Sequence, residues 1–152
     1  MPARGTESSL AKRQQIPDPP FGVAAAFGSY PQPARELLLS FRKDIFEAAR
    51  DLPGVGPITE TLKWGEPAYL TETSKSGTTI RLGWSAKRPG TVGLFVSCQT
   101  SLIESWRAQY AGILEFTGNR EVRFTIGQPP PAAAVRHCIA MALTYHQRKR
   151  AQ

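Results

Sequence analysis

The sequence has 152 residues, of which 41% are hydrophobic and 20% charged, a composition within the range of globular domains. This length predicts a single domain whose core needs no disulfide or metal to fold. No apolar run approaches the roughly 18 residues of a membrane span, so no membrane partner is expected. Pro17, Pro19 and Pro20 interrupt the place where a secretory signal would be apolar. We therefore expect a cytoplasmic protein with Cys98 and Cys138 reduced.

The net charge is +7, and the C-terminal run Arg148, Lys149 and Arg150 supplies three of these charges. Such a run attracts nucleic acid or acidic surfaces through electrostatics alone and carries no sequence specificity. Because no nucleic-acid-binding motif accompanies the charge, nucleic acid is not a predicted partner.

The first half of the chain predicts a tail, a helix and an antiparallel sheet. Residues 1–20 mix proline, serine, glutamine and charge without periodicity, which predicts a disordered tail before a single domain over residues 21–149. Apolar residues at spacings of three and four predict a helix over 34–51, closed by Pro53 and Gly54. Alternation then predicts four strands, over 58–64, 67–71, 78–84 and 91–97. The turns between them are too short for crossover helices, so the sheet is antiparallel.

The second half predicts a helix, a hairpin and a last helix. Thr100 or Ser101 fits the N-cap of a helix that ends near Tyr110, with Glu104 completing a capping box. Strands over 113–117 and 121–126 form a hairpin around Gly118 and Asn119, and three prolines precede a helix over 132–146. The predicted fold class is α+β: a two-layer sandwich with helices on one face of an antiparallel sheet, in the order helix, strands, helix, two strands, helix.

Carboxylates on the first predicted helix are candidates for a weak metal site. About 100° per residue places four of them on one flank of the apolar face: Glu36, Asp44, Glu47 and Asp51. Oxygen ligands of this kind suit hard cations such as iron. The alternative is a solvated helix flank whose charge is balanced by the Arg and Lys residues of the same helix. Cys98, His137, Cys138 and His146 lack the close pairing that is typical of zinc ligands.

Aromatic and charged residues concentrate on the predicted strands and could line a ligand pocket. The candidates are Trp64, Glu66, Tyr69, Arg81, Trp84, Arg120 and His146, with Lys63 beside them. In the alternative interpretation Trp64 and Trp84 fill the core, and Glu66 pairs with Arg81 across two strands. The sequence contains no recognised catalytic motif. If the protein is an enzyme, its catalytic residues are therefore dispersed along the chain.

Five stretches, taken together and in this order, resemble the YdhG-like family, a bacterial domain of unknown function. They are TLKWGEPAYL (61–70), GTTIRLGW (77–84), SCQTSL (97–102), FTGNR (116–120) and HCIAMALTYH (137–146). The resemblance implies a fold similar to that of type III secretion chaperones, and some members are described as frataxin-like iron carriers. Gln128 and the three prolines that follow it depart from the more acidic segment that related chains tend to have before the last helix.

Three functions are open on this basis. The first is a small binding module for weakly held iron or an unknown small ligand. The second is a chaperone-like protein-interaction module, with a protein partner or a homodimer. The third is an enzyme with a dispersed site.

Overall fold

The computed structural model describes residues 16–151. Its five helices are α1 (Phe21–Ser29), α2 (Gln32–Asp51), α3 (Leu102–Tyr110), α4 (Ala132–Leu143) and α5 (Tyr145–Ala151). Its six strands are β1 (Thr59–Lys63), β2 (Glu66–Leu70), β3 (Ile80–Gly83), β4 (Thr91–Phe95), β5 (Glu115–Thr117) and β6 (Glu121–Thr125). None of the helices within these residues is long and apolar enough to cross a membrane.

The strands form one antiparallel sheet in the order β1-β2-β3-β4-β6-β5. The predicted α+β sandwich is therefore confirmed. Alternation along β3 buries Ile80 and Leu82 in the core. Helix α2 packs on this side of the sheet, and the ring centroids of Phe41 in α2 and Phe124 in β6 lie 4.7 Å apart.

Packing against the domain begins before residue 21, the predicted start of the domain. The Arg42 guanidinium donates a hydrogen bond through Nη2 to the Pro17 carbonyl, and α1, which the sequence analysis missed, buries Val23 and Phe27. Helix α1 is short and carries Phe, Val and Ala on all sides, so its sequence shows no clear helical periodicity. The rest of the predicted tail, residues 1–15, lies outside the described residues.

The predicted helix over 132–146 is divided at Thr144 into α4 and α5. The cause is the segment 71–79, which joins β2 to β3 and which we call the strap. Thr78 N–H donates to Ala142 O at 2.9 Å, and the Ser76 hydroxyl donates to Leu143 O at 2.7 Å. These carbonyls belong to the last turn of α4, so the strap satisfies groups that a continuing helix would use.

The capping box predicted for α3 does not form. Ser101 stands at the N-cap without a side-chain cap hydrogen bond. The Thr100 hydroxyl instead accepts a long hydrogen bond of 3.4 Å from Leu102 N–H. The helix begins where expected because Leu102, Ile103 and Trp106 bury its apolar face.

A buried ionic network joins α2 to the first two strands. Arg42 donates to both carboxylate oxygens of Glu60, at 2.6 and 2.9 Å, and Tyr69 donates its hydroxyl proton to the same carboxylate at 2.8 Å. The Arg42 and Glu60 side chains are only 8% and 5% exposed. Burial and the neighbouring carboxylate raise the pKa of Tyr69, which therefore stays protonated as the donor.

Candidate functional site

The face of the sheet opposite the helices, which we call the open face, carries the polar residues of the alternating strands. Strand register places Ala68, Arg81, Phe95 and Glu121 in one row across β2, β3, β4 and β6. Because neighbouring residues in a row point to the same side, this register places the charged groups of Arg81 and Glu121 on one face, with the Phe95 ring between them.

Glu66 and Arg81 form the ion pair that the sequence predicts. Arg81 donates through Nη1 to Glu66 Oε1, and the two side chains are 19% and 25% exposed. The guanidinium carbon also lies 5.0 Å from the centroid of the Phe95 ring, a cation–π contact. Burial raises the pKa of Glu66 by more than the attraction of Arg81 lowers it.

One side of this ion pair opens into a cavity of about 240 Å³, which we call the carboxylate trough. Its floor is the paired glycines Gly83 and Gly93. A Cβ on Gly83 would lie 1.8 Å from Glu66 Oε2, and a Cβ on Gly93 would lie 2.7 Å from Glu121 Oε2. The absence of a Cβ at both positions lets the two carboxylates lie close above the strands.

Two carboxylates and two cations give the trough a nearly balanced charge, because Lys87 and Arg88 line it as well. Burial raises the pKa of Glu121, with attraction to Arg88 opposing this shift and the nearby Glu66 charge adding to it. Glu121 also accepts a long hydrogen bond of 3.4 Å from Arg123. The trough thus has no strong preference for an ion of either sign.

The other side of the pair opens into a cleft of about 220 Å³, which we call the basic cleft. Its lining comes from the β1–β2 turn, β3 and the loops that follow β4 and precede β6: Lys63, Trp64, Thr79, Arg81, Val96, Ser97, Cys98 and Arg120. Arg120 donates a hydrogen bond to the exposed Cys98 Sγ at 3.4 Å. Within residues 16–151, neither Lys63 nor Arg120 has a carboxylate partner.

Trp64 stands at the tip of the β1–β2 turn and is 90% exposed. Lys63 pairs with Glu66, so Trp64 and Gly65 form a two-residue turn, and both have positive φ, 55° and 76°. Asn and Gly are the usual residues in such turns, and a bulky residue in this conformation stores of order 1–3 kcal/mol of strain. The alternative that places Trp64 in the core is therefore wrong, because Trp64 lies in the turn beyond the end of β1.

The other residues predicted to line one pocket lie in different parts of the structure. Trp84 lines the carboxylate trough, where it is half-buried against the Tyr30 ring at 6.2 Å and donates its indole N–H to Pro89 O at 3.1 Å. Burial and the Glu66 charge raise the pKa of Tyr30 to about 12. Tyr69 is wrongly assigned to a pocket, because it points into the core towards Glu60.

His146 is also wrongly assigned, because it is exposed on α5 beside Tyr145 and lines neither the trough nor the cleft. The site therefore consists of Glu66 and Trp84 on the trough side, with Trp64, Arg81 and Arg120 on the cleft side.

The structure does not assemble the four candidate metal ligands. No group of three or more His, Cys, Asp or Glu side chains that could hold a metal ion occurs within residues 16–151. Glu36 accepts a hydrogen bond from Gln32 at 3.1 Å, and Asp51 from Arg50 at 3.4 Å. Burial raises the pKa of Asp44, and Arg136 opposes the shift. Glu47 lies one turn beyond Asp44, and within the described residues no third potential ligand joins them.

The chain matches no family model, no curated protein and no solved structure. The resemblance to YdhG-like domains thus stays a prediction that depends on the five stretches of sequence.

Proposed function

We propose that the protein is a binding module for a small anionic ligand, which it holds in the basic cleft. The observation that carries the proposal is the set of three cations lining one cleft, Lys63, Arg81 and Arg120. Among the residues that the structure describes, Arg81 alone of the three is paired with a carboxylate. Cations gathered around a cavity repel one another, and an anion between them removes that repulsion.

Lys63 and Arg120 supply hydrogen-bond donors that suit phosphate, sulfate or carboxylate oxygens. Charge-assisted hydrogen bonds of this kind are about twice as strong as neutral ones. The net charge of +7 adds a long-range attraction for anions. Cys98, the thiol of the cleft, contacts an arginine, which cannot serve as a general base, so we propose binding and not catalysis.

Of the two ligands considered for a binding module, the proposal keeps the small ligand and does not include iron. The carboxylates that would carry iron are not grouped, whereas the cations of the cleft are. Membership of the YdhG-like family is compatible with this proposal but adds nothing to its support.

Removal of Arg120 is expected to weaken anion binding. Isothermal titration of pyrophosphate at low salt should show a dissociation constant for Arg120→Ala that is higher than that of the parent by roughly tenfold or more, since one charge-assisted hydrogen bond contributes about 1.5–3 kcal/mol. Lys63→Ala should act in the same direction. Arg50→Ala removes the same charge from an exposed site on α2 and serves as the control. Equal affinities for Arg120→Ala and Arg50→Ala would contradict the proposal.

Removal of the Glu66 charge is expected to strengthen anion binding, because Glu66 competes with the ligand for Arg81. Glu66→Gln should lower the dissociation constant for sulfate several-fold, while Glu36→Gln, an exposed change on α2, should leave it unaltered. In the parent protein, affinity should rise as the pH falls towards the raised pKa of Glu66, because protonation neutralises the competitor. Glu66→Gln should lose this pH dependence, and a variant that keeps it would contradict the assignment.

A further inference from the structure

We infer that the anionic ligand of the basic cleft is a nucleoside phosphate, whose base stacks on Trp64 while its phosphate contacts the cations. The inference rests on the proposed function for its phosphate site and adds the aromatic half of the ligand. The aromatic half of the ligand is inferred from a separate observation, which is the conformation and exposure of Trp64.

Trp64 combines two features that a folded protein rarely leaves uncompensated. Its indole is 90% exposed, and its backbone has a φ of 55°, in a region that bulky residues avoid. Neither feature contributes packing to the core. Residues held in such conformations cluster at ligand-binding sites, where strain fixes a side chain in the orientation that binding needs.

The turn places the indole at the rim of the cleft. Trp64 lines the cleft next to Lys63, while β3 contributes Arg81 and the loop before β6 contributes Arg120. A flat ring can therefore cover the indole while an anionic group attached to it enters the cleft. Stacking of a base on an aromatic side chain depends little on which base it is, because every base has a π-face.

The size of the cleft fits part of a nucleotide. At about 220 Å³ it is smaller than the pockets that enclose drug-sized ligands, and it suits a sugar phosphate whose base stays outside. Proteins that bind nucleic acid strands offer several rings for successive bases. Trp64 is the single aromatic residue in the lining of this cleft, which favours one free nucleotide over a strand.

The test compares AMP, ribose 5-phosphate and inorganic phosphate on the full chain, by isothermal titration and by quenching of tryptophan fluorescence. AMP should bind at least tenfold more tightly than ribose 5-phosphate and should quench Trp64. Trp64→Gly, which suits the positive φ, should abolish the advantage of AMP over ribose 5-phosphate when both ligands are measured on this variant. Trp64→Phe should restore part of the advantage. Phe21→Ala, which removes another ring that is 91% exposed, is the control and should have no effect.

The outcomes separate the two proposals. If none of the three anions binds, the proposed function fails and the inference fails with it. If phosphate and ribose 5-phosphate bind but AMP gains nothing over them, or if Trp64→Gly keeps the gain, the inference alone is overturned. A ten-nucleotide single strand that binds a hundredfold more tightly than AMP would also overturn it, in favour of a nucleic acid ligand.

Discussion

Arg42→Ala is expected to destabilise the fold by about 3–5 kcal/mol, because it leaves the Glu60 carboxylate buried without its cation. Arg42 also ties α2 to the chain before α1 through the Pro17 carbonyl, so several elements lose a common contact. Chemical denaturation followed by circular dichroism should show the loss as a lower midpoint with little change of slope.

Arg50→Ala provides the matched control for this prediction. Its ion pair with Asp51 is exposed, at 36% and 70% for the two side chains, and should contribute less than about 1 kcal/mol. Arg42→Met combined with Glu60→Met should recover much of the loss, because no charge remains buried. If Arg42→Ala unfolds at the same denaturant concentration as Arg50→Ala, the network does not stabilise the protein.

Trp106→Ala is expected to destabilise the fold by about 3–5 kcal/mol, as is typical of large-to-small changes in a core. Trp106 is completely buried, and its indole N–H lies 3.3 Å from the Met141 sulfur, between α3 and α4. Trp64→Ala, at the exposed turn, should change stability by no more than about 0.5 kcal/mol. Thermal unfolding of the two variants side by side measures the difference.

A reversal of these two results would contradict the assignment of Trp64 to the surface and Trp106 to the core. Such a reversal would also remove the structural basis for a stacking role of Trp64. Trp64→Phe and Trp106→Phe then provide a finer comparison, because both keep an aromatic ring.

Local pattern was sufficient to predict much of the fold and one contact of the site. Strands β1 to β4 follow one another through short connections, so alternation along the chain predicts both their faces and the pairing of Glu66 with Arg81. The apolar periodicity of α2 likewise predicts its buried face, including Leu38 and Ile45.

The second carboxylate of the trough could not be predicted in this way. Strand β6 lies between β4 and β5, so Glu121 reaches the trough through a pairing between strands that are not consecutive in the chain. The value of Gly83 and Gly93 as a floor appears only when this pairing is known, because an isolated glycine in a strand indicates only a weak point or a close approach. The position of Trp64 could not be predicted for a local reason. Tryptophan is usually buried, but the turn conformation of Trp64 places its side chain on the surface.

The strap that divides α4 from α5 has a consequence for the order of folding. Its hydrogen bond from Ser76 to Leu143 joins residues 67 positions apart, and Gln147 N–H returns to Ser76 O at 2.9 Å. Closing so long a loop is entropically unfavourable, so we expect this contact to form after the local helices. We therefore expect the C-terminal segment to form first as one continuous helix and to break at Thr144 when the strap pairs with the end of α4.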